Sequence, residues 1–120
     1  PDTIARSLAI GNPAAGAFAL KVAKDSYGTA TAVPEPEVEA GMKLLAETEG
    51  IFTETAGGVV ISCLKRLAEQ KAISKADVIV VYITGNGLKT QEVVENVVSP
   101  IHISPTFDSF ETTFGDLNIL

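Results

Sequence analysis

A run of six apolar residues, 78–83, places the strongest constraint on how this chain folds. All of them except the tyrosine are β-branched, as expected for a strand buried on both faces of a mostly parallel sheet between helices. The run ends at Thr84, and a Gly-Asn-Gly turn follows in which positive φ angles would suit Gly85 and Gly87. Because ligands of open α/β sheets bind beyond the carboxyl ends of the strands, Thr84 is a candidate ligand contact. A plain strand-to-helix turn would explain the same residues.

The acidic composition argues against nucleic acid or an anionic membrane surface as the main partner. The 120 residues include 9 Lys and Arg against 15 Asp and Glu, a net charge of −6, whereas such partners attract basic surfaces. The length suits one domain with its own core, and no stretch of about 18 apolar residues predicts a membrane span. The single cysteine, Cys63, excludes an internal disulfide, and its place on an apolar helix face predicts a core thiol rather than a nucleophile.

The first part of the chain predicts a helix followed by a short strand. Asn12 before Pro13 is typical of a helix start, with Asn12 as the cap and a helix that runs to about Asp25. Residues 29–33 alternate polar and small apolar side chains, as a short half-buried strand would.

Two further helices are predicted on either side of a brief apolar run, 51–54. The first begins at Pro34-Glu-Pro-Glu37, whose acidic residues suit a helix N-terminus, and Gly50 ends it. The second ends near Lys71. Apolar residues recur at helical spacing in both: Val38, Met42 and Leu45 in the first, and Val60, Cys63, Leu64, Leu67 and Ala68 in the second.

The end of the chain changes character, so we predict a folded part at 1–98 and an extended tail at 99–120. The alternation of helices and strands makes the folded part α/β, with a parallel sheet flanked by helices. Residues 99–105 lack helical periodicity. Two short helices are predicted near the boundary and in the tail, with apolar faces formed by Val93, Val94 and Val97, and by Phe107, Phe110 and Phe114.

Three more polar residues are candidate ligand contacts. Glu54 follows the short apolar run, where it either orients a ligand or satisfies the start of the next helix. Asn12 is a helix cap that could also face an anion. Lys89 follows the glycine turn and could pair with phosphate, although solvent-facing lysines are common. His102, the only histidine, has no second metal ligand nearby and predicts neither a metal site nor a catalytic triad.

Several segments resemble the carboxyl-terminal third of the threonine synthases, which are pyridoxal-phosphate enzymes of the tryptophan-synthase-β type, or fold type II. Any one of these motifs is weak evidence, whereas their shared order and spacing are specific, and the resemblance covers nearly the whole chain apart from its last few residues. The segments are Thr3-Ile-Ala-Arg-Ser-Leu-Ala-Ile-Gly-Asn-Pro13, Glu49-Gly-Ile-Phe-Thr-Glu-Thr-Ala-Gly-Gly58, Tyr82-Ile-Thr-Gly-Asn-Gly-Leu-Lys89 and Pro100-Ile-His-Ile-Ser-Pro-Thr-Phe107.

The resemblance implies a cytoplasmic enzyme that converts O-phosphohomoserine and water to threonine and phosphate through lysine-bound pyridoxal phosphate. In that family, the threonine of the glycine turn hydrogen-bonds the pyridine nitrogen of the cofactor, and Thr84 matches its position. A neutral hydroxyl suits an unprotonated ring nitrogen. The resemblance also implies that Gly85 lets the backbone pass close to the ring. Glu54 matches a loop beside the cofactor, and Asn12 matches a Gly-Asn-Pro motif near the active-site side of the fold.

The chain also departs from the family pattern. Thr55 replaces the usual proline, and Ala15 stands where many members have aspartate, so no role of that aspartate is carried over. The Schiff-base lysine and the glycine-rich phosphate loop lie upstream of the matched part and have no counterpart among these residues. The resemblance therefore implies the C-terminal portion of a roughly 400-residue enzyme, and we expect this piece alone to be inactive.

Two alternatives remain open at the level of sequence. The chain could belong to another fold-type-II lyase, similar to threonine dehydratase or cysteate synthase, because the contacts to the substrate phosphate are mostly upstream. It could instead be a free-standing, non-catalytic binding or assembly module. For the enzyme, the expected partners are O-phosphohomoserine, the remainder of the same enzyme and, as in many family members, a second copy in a homodimer.

Overall fold

The computed structural model of the chain describes residues 1–97 and 100–115, and the regular structure of these residues is helical. The α-helices are α1 (Gly16–Asp25), α2 (Glu35–Glu49), α3 (Thr55–Glu69) and α4 (Phe107–Phe114). Three-residue 3₁₀ helices span Arg6–Leu8, Gly87–Lys89 and Gln91–Val93.

Helix α2 forms as its sequence predicts, because both of its ends are specified locally. Pro34 is the N-cap and the acidic residues Glu35 and Glu37 lie in the first turn, where they interact favourably with the helix dipole. Gly50 ends the helix in the left-handed conformation, with φ of 67°, which glycine adopts without steric penalty. The predicted apolar face is confirmed, since its members are buried: Val38, Met42 and Leu45.

The core lies where α2 and α3 cross, and glycines allow their backbones to approach closely. A Cβ atom added to Gly41 would lie 2.3 Å from the carbonyl oxygen of Gly58. A Cβ atom added to Gly58 would lie equally close, 2.3 Å, to the carbonyl oxygen of Val38. Any larger residue would separate the two helices, so the crossing depends on the absence of side chains at these positions.

The apolar face predicted for α3 is wrong in its orientation. Val60 and Ala68 are exposed and the other members of that face are half-buried, because the close glycine contact turns a different side of the helix toward α2. The residues that are buried are smaller and more polar: Thr55, Gly57, Gly58, Ile61 and Ser62.

Helix α1 begins later than predicted and packs little of its surface. It starts at Gly16 with Ala15 as its N-cap, and Asn12 makes no capping hydrogen bond, so the predicted start at Asn12 and Pro13 is wrong. A turn closed by the Gly16 N–H and the Pro13 carbonyl precedes the helix instead. None of the residues of α1 is buried, and its largest side chain, Phe18, is 73% exposed.

The predicted strands do not form within the described residues. Residues 78–83 and 29–33 have no ladder partner, and the run at 51–54 contributes only an isolated antiparallel bridge between Thr53 and Asn86. A strand is stable only when a neighbouring backbone accepts and donates its hydrogen bonds. The sheet that the apolar run predicts is therefore not present in this part of the chain.

The 78–83 segment still has the two-sided character of a strand. Val81 and Ile83 line an apolar groove together with Leu45 and Ile61. The alternate residues point away: Val78, Val80 and Tyr82 are 96%, 74% and 77% exposed. One face of the segment therefore lies toward the α2–α3 pair, and the opposite face is exposed to solvent.

Residues 29–33 run along α3, where side chains rather than a ladder hold them. Arg66 donates to the Ala32 carbonyl at 2.6 Å and to both carboxylate oxygens of Glu37 at 2.8 Å. The half-buried Cys63 lies beside them, with its Sγ atom 3.9 Å from the Thr31 carbonyl oxygen. Burial raises the pKa of the Cys63 thiol, although the nearby Arg66 guanidinium acts in the opposite direction.

Beyond the glycine turn, the described residues have little regular structure before α4. The helix predicted around Val93 is reduced to the 3₁₀ helix Gln91–Val93. Helix α4 confirms the short helix predicted in the tail, and the rings of Phe110 and Phe114 stack on it with centroids 5.1 Å apart. The predicted boundary between residues 98 and 99 lies outside the described residues, as do the last five residues, 116–120.

The resulting shape is extended. The radius of gyration is 19.3 Å, whereas a compact domain of this length has a value of about 14 Å. The only core of any size among the described residues is the α2–α3 contact. In the same residues, no helix combines the length and hydrophobicity that would let it cross a membrane.

Candidate functional site

Two segments that are far apart in sequence meet at the N-terminal end of α3. The Glu54 N–H donates to the Gly85 carbonyl at 3.1 Å, and the Gly87 N–H donates to the Phe52 carbonyl, also at 3.1 Å. These reciprocal bonds attach the glycine turn to the segment that leads into α3. The meeting point is the end of the apolar 78–83 run, where the sequence predicts a ligand site.

Thr53 reinforces this attachment from inside the protein. It is fully buried, and its hydroxyl donates to the same Gly85 carbonyl at 3.1 Å. There is no space beside it, since a Cβ atom added to Gly57 would lie 1.9 Å from Thr53 Oγ1. The Gly85 carbonyl thus accepts two hydrogen bonds, which fixes the backbone immediately after Thr84.

The Glu54 carboxylate lies directly against the glycine turn. Glu54 is 5% exposed, and a Cβ atom added to Gly85 would lie 2.0 Å from its Oε1 atom. Although Glu54 is the N-cap residue of α3, its side chain makes no capping hydrogen bond. Lys89, whose side chain is mostly exposed, places Nζ 3.6 Å from Oε1. A buried carboxylate is therefore balanced by one cation at the edge of the site and by the positive end of the helix dipole.

Gly85 and Gly87 are required for a different reason from the one predicted. Among the glycines of the described residues, only Gly50 has a positive φ, so the predicted positive angles in the turn are wrong. Instead, both positions are too crowded for a side chain, because Gly85 contacts Glu54 and a Cβ atom on Gly87 would lie 2.5 Å from the Phe52 ring. The glycines let two segments pack against each other.

Thr84 presents an exposed side chain at the edge of this fixed turn. Within the part of the chain that the structure describes, its hydroxyl makes no hydrogen bond to the protein. A hydroxyl is both a donor and an acceptor. Thr84 therefore offers a neutral polar group to a ligand while the backbone on its carboxyl side is held in place.

The other candidate residues are placed differently. Asn12 is exposed in the loop before α1, and no hydrogen bond links it to Glu54 or Gly85 in the described ranges. The ammonium group of Lys89 lies beside the Glu54 carboxylate. Its charge is therefore paired within the protein and is not left for a phosphate. His102 is exposed, and no cluster of three His, Cys, Asp or Glu side chains suited to a metal occurs in residues 1–97 and 100–115.

Two threonines of the site are missed by the sequence analysis. Thr53 has one signal, because it is a polar residue inside the short apolar run 51–54. Thr90 has none, since it follows the turn in a polar stretch of sequence. In the structure Thr90 is 6% exposed, and its hydroxyl accepts a hydrogen bond from the Thr55 N–H at 3.2 Å.

Comparison with known proteins finds a family whose members are similar to this chain. Residues 1–85 match the model of the pyridoxal-phosphate dependent enzymes. A threonine synthase of Bacillus sp. (strain ULM1) is 36% identical over 93 residues, which are 78% of this chain and 26% of that protein. A threonine synthase of Methanocaldococcus jannaschii is 44% identical over 89 residues, 74% of this chain and 22% of that protein. A threonine synthase of Methanosarcina acetivorans is 33% identical over 117 residues, which are 96% of this chain and 29% of that protein. The chain thus spans less than a third of the length of these relatives.

Proposed function

The chain belongs to the pyridoxal-phosphate dependent enzyme family, and we propose that it is the C-terminal portion of a threonine synthase. Such an enzyme converts O-phosphohomoserine and water to threonine and inorganic phosphate. The similarity to threonine synthases over most of the chain supports this substrate. The observation that carries the proposal is the hydrogen bond from Thr53 to Gly85, 32 residues away in sequence, because it joins two segments that carry separate motifs of the family.

The residues of the glycine turn fit the pyridine end of the cofactor. The Thr84 hydroxyl is exposed and unpaired within the described residues, as a group that binds a ring nitrogen would be. Glu54 fills the space where a Gly85 side chain would lie, so the place of Gly85 beside the ring rests on the family motif. We propose that Thr84 hydrogen-bonds the pyridine nitrogen and that Gly85 lies next to the ring. When bound, pyridoxal phosphate supplies the electron sink for the reaction.

The residues of this chain would bind and orient the ring rather than carry out proton transfer. The Thr84 hydroxyl is neutral, so it can donate to an unprotonated ring nitrogen without stabilising a positive charge on it. Glu54 lies behind Gly85 and pairs with Lys89, so its charge is balanced within the protein. Asn12 belongs to the proposed site on the strength of the family motif alone.

We propose that the remainder of the enzyme covers the exposed apolar surfaces. Without such a cover, large apolar side chains would be exposed to water. They are those of the exposed face of residues 78–83, namely Val78, Val80 and Tyr82, and that of Phe18 on α1. Residues 78–83 would then pair with neighbouring strands in the parallel sheet of the fold type, and the Schiff-base lysine would come from the covering segment. Residues 1–98 would belong to this catalytic domain and 99–120 to a tail. The homodimer and the cytoplasmic location rest on the family resemblance.

The proposed reaction is tested on the full-length polypeptide that carries this chain, loaded with pyridoxal phosphate. O-Phosphohomoserine should yield threonine and phosphate in equal amounts. O-Phosphoserine is the control, because its phosphate is on Cβ and the γ-elimination of the proposed reaction cannot occur. Release of ammonia from threonine, without release of phosphate from O-phosphohomoserine, would favour a dehydratase instead. A polypeptide that binds the cofactor but transforms neither O-phosphohomoserine nor threonine would contradict the proposed reaction.

A further inference from the structure

The turn that carries Thr84 is held at its far end as well as at its beginning. Asn86 accepts a hydrogen bond from the Leu88 N–H at 2.9 Å through its side chain, and the Thr90 N–H donates to the Gly87 carbonyl at 3.0 Å. The stretch from Asn86 to Thr90 is thus a compact, internally bonded unit. The position of Thr90 therefore influences the position of the whole turn.

Thr90 bonds the start of α3 from outside the helix. The first N–H groups of a helix have no partner within it, and the side chain of an N-cap residue reaches only those of the second and third positions. Thr55 is the first residue of α3, and its N–H donates to the Thr90 hydroxyl at 3.2 Å, in a buried position. A residue 35 positions away in sequence thereby satisfies the first N–H of the helix.

Glu54, the residue directly before Thr55, contacts the same turn through Gly85 and Lys89. The Thr90 hydroxyl and Glu54 thus hold the turn against the same end of α3. Loss of the Thr90 hydroxyl would release the far end of the turn from the helix.

We propose that Thr90 is a positioning residue of the cofactor site, which fixes the turn that carries Thr84 by joining Gly87 to the first N–H of α3. Thr90 itself would not touch the cofactor. It acts through Thr84. The inference rests on the proposed function, in that it assigns the glycine turn to the pyridine end of pyridoxal phosphate.

The test compares Thr90→Val with Thr90→Ser in the full-length polypeptide. Valine keeps the shape of threonine and removes the acceptor, whereas serine keeps the acceptor. The affinity of the apoenzyme for pyridoxal phosphate is measured by absorbance titration, and thermal unfolding of the apoenzyme is followed in parallel. We expect Thr90→Val to weaken cofactor binding by up to about tenfold, because a misplaced Thr84 would lose its one hydrogen bond to the cofactor, and to shift the absorbance of the bound cofactor. Thr90→Ser should restore both values.

A purely structural role would give a different result. In that case Thr90→Val would lower the unfolding temperature but leave the cofactor affinity and absorbance equal to those of the wild type, and this would overturn the proposal. If the valine variant does not fold, Thr90→Cys takes its place, because sulfur is a weak acceptor. Weaker cofactor binding is expected for it, and wild-type affinity would overturn the proposal. A wild-type enzyme that binds the cofactor without forming threonine would contradict the proposed reaction, whereas the Thr90 comparison is decided by cofactor affinity alone.

Discussion

The Thr84 hydroxyl is the single group on which the proposed cofactor site depends most. It is exposed, and the backbone beside it is fixed by two hydrogen bonds to the Gly85 carbonyl. The fold does not need this hydroxyl, because no protein group among the described residues bonds to it. A change at Thr84 should therefore separate an effect on the cofactor from an effect on stability.

Replacement of Thr84 by valine should lower turnover and weaken cofactor binding while the fold is retained. The loss of one neutral hydrogen bond contributes about 0.5–1.5 kcal/mol, so we expect a decrease in cofactor affinity of up to about tenfold. Thr84→Ser, which keeps the hydroxyl, is the matched control and should remain close to wild type. Cofactor titration and the rate of phosphate release measure the effect. Equal values for Thr84→Val and wild type would remove Thr84 from the site.

Cys63 should react slowly with alkylating reagents at neutral pH. Burial raises the pKa of its thiol, so the reactive thiolate forms only at a higher pH than in a free cysteine, whose pKa is about 8.5. The rate of alkylation by iodoacetamide, measured against pH beside glutathione as a free-thiol control, should reach half of its maximum at the higher pH for Cys63. A midpoint at or below that of the control would show that the thiol is not shielded as the structure indicates.

At the scale of elements, the α2–α3 crossing is set by glycines rather than by large apolar side chains. Gly58→Ala should therefore destabilise the protein, because the added methyl group would lie 2.3 Å from the Val38 carbonyl oxygen. Overpacking of this kind costs about 1–3 kcal/mol, and the higher helix propensity of alanine offsets up to about 1 kcal/mol of it. We expect the free energy of unfolding in urea to fall by about 1–2 kcal/mol.

Gly11→Ala is the matched control for this prediction. The nearest atom to a Cβ at Gly11 is 3.9 Å away, so the same substitution fits there without strain. Its free energy of unfolding should stay within about 0.5 kcal/mol of wild type. Equal stabilities of the Gly58→Ala and Gly11→Ala variants would show that the helices do not cross as closely as described.

Local signals in the sequence predict some elements well and others poorly. Both ends of α2 are specified by neighbouring residues, from the acidic first turn to Gly50, and they form as predicted. The apolar pattern of α3 selects Val60 and Leu64, but a glycine contact with another helix determines which side is buried. A strand at 78–83 needs a partner backbone, which no local pattern supplies.

The same distinction applies to the site. Glu54 and Gly85 carry family motifs, and the structure brings them into contact. The Thr53 and Thr90 hydroxyls, in contrast, act through bonds to residues 32 and 35 positions away. Such bonds depend on tertiary structure, so a single sequence predicts neither of the two partners.

At the scale of the whole molecule, the exposed face of residues 78–83 predicts a difference between this chain alone and the full-length enzyme. In the full-length polypeptide, these residues should pair with neighbouring strands, and their amide protons should exchange slowly with solvent. In the isolated 120-residue chain, the same amides have no ladder partner and should exchange rapidly. Hydrogen exchange followed by mass spectrometry compares the two. Rapid exchange at 78–83 in the full-length protein would contradict the proposed sheet.

The most direct test of the account is the ¹⁵N NMR signal of the cofactor ring nitrogen in the full-length enzyme, recorded with ¹⁵N-labelled pyridoxal phosphate. If Thr84 donates to that nitrogen, the wild-type signal will be that of a neutral, hydrogen-bonded pyridine. In Thr84→Val the signal will move toward that of a neutral pyridine without a donor, and Thr84→Ser will restore it. A pyridinium signal in the wild type, or identical signals in the wild type and the valine variant, would contradict the assignment of this turn to the cofactor.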